Sequence, residues 1–199
     1  MLLLAFLSLT IWLYLIFFRG KFWLNNQFLE TIENQNYQAK ITAIIPARNE
    51  AESIDKCLQS LFEQDYQGEF QIVLIDDRSE DDTKKIALQK AQELGKEKQL
   101  TIVDGEELEK GWSGKLWAMN QGIKWAEKNL KTDYFLLTDA DILHSQNNLS
   151  LLVSKAEQEN LDLVSLMVKL NCQSVWEKLL IPAFIFFFQK LQYRYINRK

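Results

Sequence analysis

The sequence predicts an α/β fold built on a mostly parallel β-sheet with helices on both faces. Short apolar runs, typical of strands buried on both faces, alternate along the chain with segments whose apolar residues recur at helical spacing. Strands joined through helices in this way have right-handed crossovers and lie parallel. Polar and mostly acidic residues follow the apolar runs. They are therefore expected at the carboxyl edge of the sheet, where α/β proteins bind ligands.

Composition narrows the class of protein. The 199 residues suffice for one domain with a core, and the net charge of −4, without a basic block, argues against a nucleic-acid partner. The 47% hydrophobic and 12% aromatic content suggests contact with a membrane. Cys57 and Cys172 lie far apart in sequence, outside any metal-ligand spacing, so a disulfide framework is not expected. His144 is the only histidine and hence the only candidate base for a Ser-His-Asp triad.

The N-terminal segment predicts a membrane anchor. Residues 2–18 carry no charge and are followed by Arg19 and Lys21. We predict a transmembrane helix over residues 1–20, at the short limit for a span, with the domain that follows on the cytoplasmic side of the inner membrane. A signal peptide is the alternative, but the segment lacks a positive region before it and a small-residue cleavage site after it. Residues 21–39 are predicted to form an interfacial helix and a linker.

Residues 40–172 are predicted to form the α/β domain. Its predicted strands span 41–45, 70–75, 100–103, 134–137 and 161–168, and its predicted helices span about 52–62, 79–94, 115–129 and 147–158. Ser79 is the predicted cap of the second helix and Gly95 its terminator. Residues 173–199 are predicted to form an amphipathic helix at the membrane interface, with a buried core helix as the alternative.

Three strand ends carry polar groups: Pro46–Glu50, Asp76–Ser79 and Asp139–Asp141. An isolated Asp-x-Asp is usually a turn or a cap. Here it follows an apolar strand in a parallel sheet, so both carboxylates can approach one hard cation such as Mg²⁺ or Mn²⁺. Aspartates at another strand end can accept from a base N–H or a ribose hydroxyl. The three ends together predict a nucleotide site with a metal bridging a diphosphate.

The loop Gly111–Lys115 places a cation at a helix start between glycines that permit close backbone approach. Its ammonium group is suited to a phosphate or to a base carbonyl, and we favour this functional interpretation over the alternative of a solvated lysine. No Gly-x-Gly-x-x-Gly follows the first strand, which argues against a dinucleotide oxidoreductase, and no Walker-type loop is present.

In this order, the three strand-end motifs resemble glycosyltransferase family 2 on a GT-A fold. Further segments resemble, more narrowly, the hopene-associated glycosyltransferases: Gly111–Ala118, Asp162–Met167 and Leu180–Gln189. The resemblance covers essentially the whole chain.

The resemblance implies inverting transfer of a sugar from a nucleotide-sugar donor to a lipid-like acceptor, such as a hopanoid, at the bilayer. It implies a nucleotide site lined by Pro46, Ala47, Arg48, Glu50, Asp76, Asp77, Lys115 and Asp139. Asp139 and Asp141 would hold a divalent metal that neutralises the diphosphate leaving group. A carboxylate base would deprotonate the acceptor hydroxyl.

The sequence departs from the family pattern in two places. Neither an acidic base motif nor a Gln-x-x-Arg-Trp motif occurs before Lys199, so we expect the general base beyond that residue and interpret the chain as the donor half of an enzyme. Arg78 stands where glycine is usual and is expected to narrow the nucleotide site. The alternatives are a donor-binding fragment without transferase activity and a sugar-phosphate nucleotidyltransferase, which the missing Gly-rich phosphate loop disfavours.

Overall fold

A computed structural model describes residues 2–18, 29, 37–170 and 172–196 of the chain. The chain divides into two compact units. One comprises Leu29–Leu166, and the other comprises Met1–Phe28 together with Met167–Lys199. All of the strand-end motifs lie in the first of these units.

The first unit is organised around a four-stranded parallel sheet. Its strands are β1 (Ile41–Ala47), β2 (Phe70–Asp76), β3 (Leu100–Asp104) and β4 (Tyr134–Leu137), in the order β3-β2-β1-β4. In the register of the sheet, Ala47 lies opposite Asp76, and Asp76 lies opposite Asp104. The strands that precede the polar motifs therefore finish side by side, which confirms the predicted parallel sheet.

Helices cover both faces of this sheet, as predicted. They are α2 (Ile54–Phe62), α3 (Thr83–Glu93), α4 (Gly114–Asn129) and α5 (Asn148–Glu159). Side chains of β1 and β2 alternate between two apolar clusters, as the two-residue period of a strand requires. One cluster contains Ile45 and Leu74 with residues of α2, α3 and α5, and the other contains Ile44 and Ile75 with residues of α4.

Helix α3 begins later than the helix predicted over residues 79–94. α3 starts at Thr83 with Asp82 preceding it, so Ser79 is not its cap. The Ser79 hydroxyl instead accepts a hydrogen bond from the backbone N–H of Asn49, 30 residues away. Gly95, with a φ of 64°, follows the end of the helix in the left-handed conformation expected of a terminating glycine.

The predicted strand over residues 161–168 is wrong. The structure has no strand there, and the segment leaves large apolar side chains exposed, including 82% of Leu163. A strand requires a neighbour to take its backbone hydrogen bonds, and no strand of the described part of the chain pairs with this segment. Hydrophobicity alone did not reveal that missing neighbour.

The predicted N-terminal transmembrane helix over residues 1–20 is also wrong. The helix there, α1 (Leu2–Phe17), has 16 residues. At 1.5 Å per residue it is about 24 Å long, short of the roughly 30 Å of a bilayer's hydrocarbon core. Within the described ranges, no helix has both the length and the apolar character needed to cross a membrane. The apolar run was at the lower limit for a span, and helix α1 ends before reaching that limit.

A final helix, α6 (Val175–Ile196), confirms the helix predicted near the C-terminus, and its location at a membrane interface stays a prediction. Most of the interfacial helix and linker predicted over residues 21–39 falls outside the described residues.

Candidate functional site

The loops that follow β1 and β2 are tied together by hydrogen bonds between backbone and side chains. The Asn49 N–H donates to Ser79 Oγ (3.0 Å), and the Glu80 N–H donates to Asn49 Oδ1 (2.8 Å). Two further bonds join the same loops: Glu50 N–H to Thr83 Oγ1 (2.8 Å) and Ala51 N–H to Asp81 Oδ2 (3.1 Å). Asn49 has a φ of 56°, a left-handed conformation that asparagine tolerates. The two predicted motifs thus form one structural element.

Asp81 anchors this element as an ionised group. The Thr83 hydroxyl and backbone N–H both donate to its carboxylate, as does the Ala51 N–H. These hydrogen bonds lower the pKa of Asp81, with the Thr83 hydroxyl contributing most.

The predicted nucleotide residues of β1 lie on this edge in different environments. Pro46 and Glu50 are half-buried and Ala47 is buried, and the Ala47 carbonyl accepts the Asp77 N–H at 2.8 Å. The Glu50 carboxylate accepts a hydrogen bond from the Ser53 hydroxyl at 2.7 Å. Glu50 is therefore oriented by its own loop, and its role toward a nucleotide stays a prediction.

Asp76 ends β2 and is buried, with 8% of its surface exposed. The Ser79 N–H donates to its Oδ1 at 3.1 Å, and its backbone carbonyl accepts from the N–H groups of Arg78 (2.8 Å) and Gly105 (2.9 Å). Among the described residues, no hydrogen-bond donor reaches its second carboxylate oxygen. Asp76 is thus a fixed acceptor with an oxygen that a ligand donor can use.

Asp77 is the meeting point of four segments. Arg48 Nη1 lies 4.0 Å from its Oδ2, and Arg78 Nε lies 3.7 Å from its Oδ1. A Cβ added at Gly105 would lie 3.0 Å from the Asp77 Cα, and one added at Gly114 would lie 3.6 Å from its Oδ2. The carboxylate therefore stands between the ends of β1, β2 and β3 and the start of α4. Glycine at residue 105 is what permits the close approach of the third loop.

Lys115 reaches from the first turn of α4 to the end of β4. Its Nζ lies 2.6 Å from Asp139 Oδ1, and both side chains are about half exposed (57% and 44%). The structure thus brings together two residues that the sequence placed in separate motifs, 24 positions apart. Lys115 is therefore an ion-paired lysine at this edge, and its role toward a phosphate stays a prediction.

The Asp-x-Asp pair has the oxygen donors of a metal bound jointly with a substrate, and its role as a pair of metal ligands stays a prediction. Asp139 is half-buried and Asp141 exposed, and both offer carboxylate oxygens at the carboxyl edge. In the part of the chain that the structure describes, no group of three or more His, Cys, Asp or Glu side chains is arranged to hold a metal. Two carboxylates fit Mg²⁺ or Mn²⁺ whose other ligands are phosphate oxygens and water.

Cys57 lies beneath this pair. Its thiol donates to the backbone carbonyl of Asp139 at 3.6 Å. Burial, followed by the negative charges of Asp141, Asp139 and Glu50, raises the pKa of Cys57 to about 12. The thiol contact thus ties helix α2 to the Asp-x-Asp turn, 82 positions away in sequence.

His144 supports the same turn and is not a ligand-facing base. Its Nε2 lies 3.0 Å from Thr138 Oγ1, its Nδ1 lies 2.9 Å from Asn148 Nδ2, and its backbone N–H donates to Ser60 Oγ. A neutral ring that carries its proton on Nε2 satisfies both ring contacts, since the Asn148 amide then donates to Nδ1. Burial lowers the pKa of His144, in agreement with this neutral form.

We expect His144 to make stability fall on mild acidification. Its folded-state pKa lies below the unfolded value of about 6.5, so the unfolded chain binds the proton more readily. The contribution is complete above about pH 6.5 and is lost as the pH falls from there toward the folded-state pKa. Urea unfolding at several pH values should show this loss in the wild type and a smaller one in His144→Gln. An equal loss in both proteins would contradict the assignment.

A groove of about 500 Å³ adjoins Asp76, and neither Lys115 nor Asp139 belongs to its lining. It is lined by Asp76, Ser79, Asp81, Asp82, Lys84, Lys85, Leu88, Gln89 and Gln92. Most of its lining comes from α3, so the groove is separate from the predicted metal site.

The close contacts of Gly105 and Gly114 with Asp77 were missed from the sequence, although a glycine directly after β3 was an available signal.

The sequence of this chain matches a known protein family and two curated proteins. The profile described as "Glycosyl transferase family 2" matches residues 42–199. The chain is 32% identical over 124 residues to the uncharacterized protein MJ0544 of Methanocaldococcus jannaschii, covering 61% of this chain and 49% of that protein. It is 42% identical over 50 residues to the glycosyltransferase AglE of Haloferax volcanii, covering 25% of this chain and 16% of that one. The chain thus spans about half or less of the length of these relatives.

A solved structure shares the fold. The mannosyltransferase PcManGT of Pyrobaculum calidifontis, solved in complex with GDP-Man and Mn²⁺, superposes with a TM-score of 0.54 at 26% identity. The match covers 71% of this chain and 39% of that one.

Proposed function

Because this chain belongs to glycosyl transferase family 2, we propose that its carboxyl edge binds a nucleotide-sugar donor for glycosyl transfer. The observation that carries the proposal is the convergence of Asp76, the Lys115–Asp139 ion pair and Asp141 at one edge of the sheet. The relative PcManGT, crystallised with GDP-Man and Mn²⁺, supports a nucleotide-sugar and a divalent metal for this chain.

Asp139 and Asp141 are the residues that would hold Mg²⁺ or Mn²⁺. When bound, the metal neutralises charge that develops on the diphosphate leaving group. The remaining roles belong to side chains of this chain. Asp76 accepts from a base N–H or a ribose hydroxyl through the carboxylate oxygen that Ser79 does not occupy. Lys115, placed at the start of α4, donates to a phosphate oxygen.

We extend the proposal to a lipid-like acceptor, such as a hopanoid, and to an inverting reaction at the inner membrane with the domain facing the cytoplasm. The support is the resemblance of residues 111–118 and 180–189 to hopene-associated enzymes. Exposed apolar side chains near Lys115 in the sequence also support it: Leu108, Trp112 and Leu116 expose 50%, 42% and 56% of their surface. Such a rim suits an apolar acceptor approaching the donor.

A second candidate is donor binding without transfer by this chain alone. Two acids that follow Asp141 are engaged elsewhere. Glu159 pairs with Lys155, and Glu177 accepts from the backbone N–H groups of Gln173 and Ser174 at the start of α6. These hydrogen bonds lower the pKa of Glu177, as expected of a capping carboxylate rather than a general base.

Calorimetric titration of the purified chain with UDP and with GDP, each with and without MnCl₂, tests the proposal. We expect at least one of the two to bind with a marked dependence on the metal. Lack of binding by both nucleotides in the presence of Mn²⁺ would overturn the proposal. Release of free sugar from the matching nucleotide-sugar then separates transfer chemistry from binding alone.

A further inference from the structure

We propose that Arg48 and Arg78, both braced on Asp77, form a two-guanidinium site for the diphosphate oxygens of the donor. This inference rests on the proposed function and deepens it, because it adds Arg78 as a donor-binding residue and makes Asp77 a positioning residue. The family resemblance does not supply an arginine at residue 78.

The contacts within this cluster leave the guanidinium donors available. Arg78 Nε and Arg48 Nη1 lie 3.7 and 4.0 Å from the two oxygens of Asp77, longer than the roughly 2.8 Å of a direct charge-assisted hydrogen bond. Asp77 is largely buried, with 11% of its side chain exposed, whereas Arg48 and Arg78 expose 56% and 49%. The carboxylate thus orients both side chains electrostatically without occupying their hydrogen-bonding forks.

The Arg78 backbone is strained in a way that calls for an explanation. Its φ of 58° is a left-handed conformation that costs a residue with a Cβ about 1 kcal/mol and that glycine adopts freely. The Arg78 N–H donates to the Asp76 carbonyl at 2.8 Å, a backbone contact that glycine would make equally well. The backbone therefore gives no reason for an arginine at this position, whereas a contact between its guanidinium and a ligand does.

Charge balance specifies what the pair binds. Asp76, Asp77, Asp139 and Asp141 make the carboxyl edge acidic, so an anionic diphosphate needs cations besides the metal. Lys115, which also contacts Asp139, supplies one of these cations, whereas Lys84 is paired with Asp104. Among the described residues of this edge, Arg48 and Arg78 supply the guanidinium groups, whose planar fork matches phosphate oxygens bidentately.

Arg78→Gly separates ligand binding from folding. The variant removes the guanidinium and relieves the left-handed strain, so the chain should melt at the same temperature as the wild type or above it. With MnCl₂ present, we expect about a tenfold or greater loss of affinity for whichever of UDP and GDP the wild type binds. Affinity for the matching nucleoside, uridine or guanosine, should not change.

Two variants provide controls. Lys131→Gln removes an exposed cation that precedes β4, at the opposite end of the strand from the site, and should bind like the wild type. Arg78→Lys keeps the charge without the fork and should recover only part of the lost affinity. Equal nucleotide binding by wild type and Arg78→Gly overturns this inference alone. An equal loss for nucleoside and nucleotide also overturns it, because the side chain would then contact the base. A wild-type chain that binds neither UDP nor GDP overturns the proposed function itself.

Discussion

Asp141→Asn is expected to remove the Mn²⁺ dependence of nucleoside diphosphate binding and to weaken that binding by more than about tenfold. Replacing a residue that only supports a metal ligand already lowers metal affinity by about tenfold or more, and a direct ligand should matter at least as much. Asp141 is exposed and follows β4, and among the described residues its carboxylate makes no hydrogen bond or ion pair. The substitution should therefore leave the melting temperature close to that of the wild type. Titrations with UDP and GDP, with MnCl₂ or with EDTA, measure the effect.

Asp162→Asn is the matched control for this experiment. Asp162 is also exposed but lies beyond α5, away from the carboxyl edge. It loses the same charge without losing a carboxylate of the site. If Mn²⁺ enhances binding equally in the wild type and in Asp141→Asn, Asp141 is not a metal ligand and the metal site lies elsewhere.

Gly122→Val is expected to destabilise the chain by about 2–3 kcal/mol, within the range of an overpacked core. Gly122 lies where α4 crosses the sheet. A Cβ there would come within 2.6 Å of Ile44 Cγ2 and 2.7 Å of Ile75 Cδ1. A larger side chain must push α4 away from β1 and β2 or displace both isoleucines. Since Lys115 begins the same helix, nucleotide affinity should fall together with stability.

Glu127→Val separates the packing effect from helix propensity. Residue 127 lies in α4 as well but is exposed, so valine there introduces the same β-branched side chain without a clash. Urea unfolding of both variants gives the difference in free energy. A loss in Gly122→Val no larger than that in Glu127→Val would show that α4 packs less closely than the structure indicates.

The sequence by itself determined the layered framework and the position of the site along the chain. Buried strands such as Ile41–Ala47 are local apolar runs, and their register in a parallel sheet brings the residues that follow them to one edge. Asp76 and Asp139 could therefore be placed at that edge without coordinates. The helix starting near Lys115 was likewise evident from its glycine-rich start and its apolar spacing.

Only the tertiary structure decided how these residues meet. Lys115 pairs with Asp139, Ser79 contacts Asn49 instead of capping α3, and Asp77 holds Arg48 and Arg78. Several of these contacts join residues 24 to 30 positions apart, and local propensity contains no information about partners at that distance. The same limit explains the two predictions that failed. The apolar residues at 161–168 and in α1 were visible in the sequence, but the absence of a partner strand and the length of the helix were not. Sequence pattern locates apolar and polar groups, and folding decides which of them become neighbours.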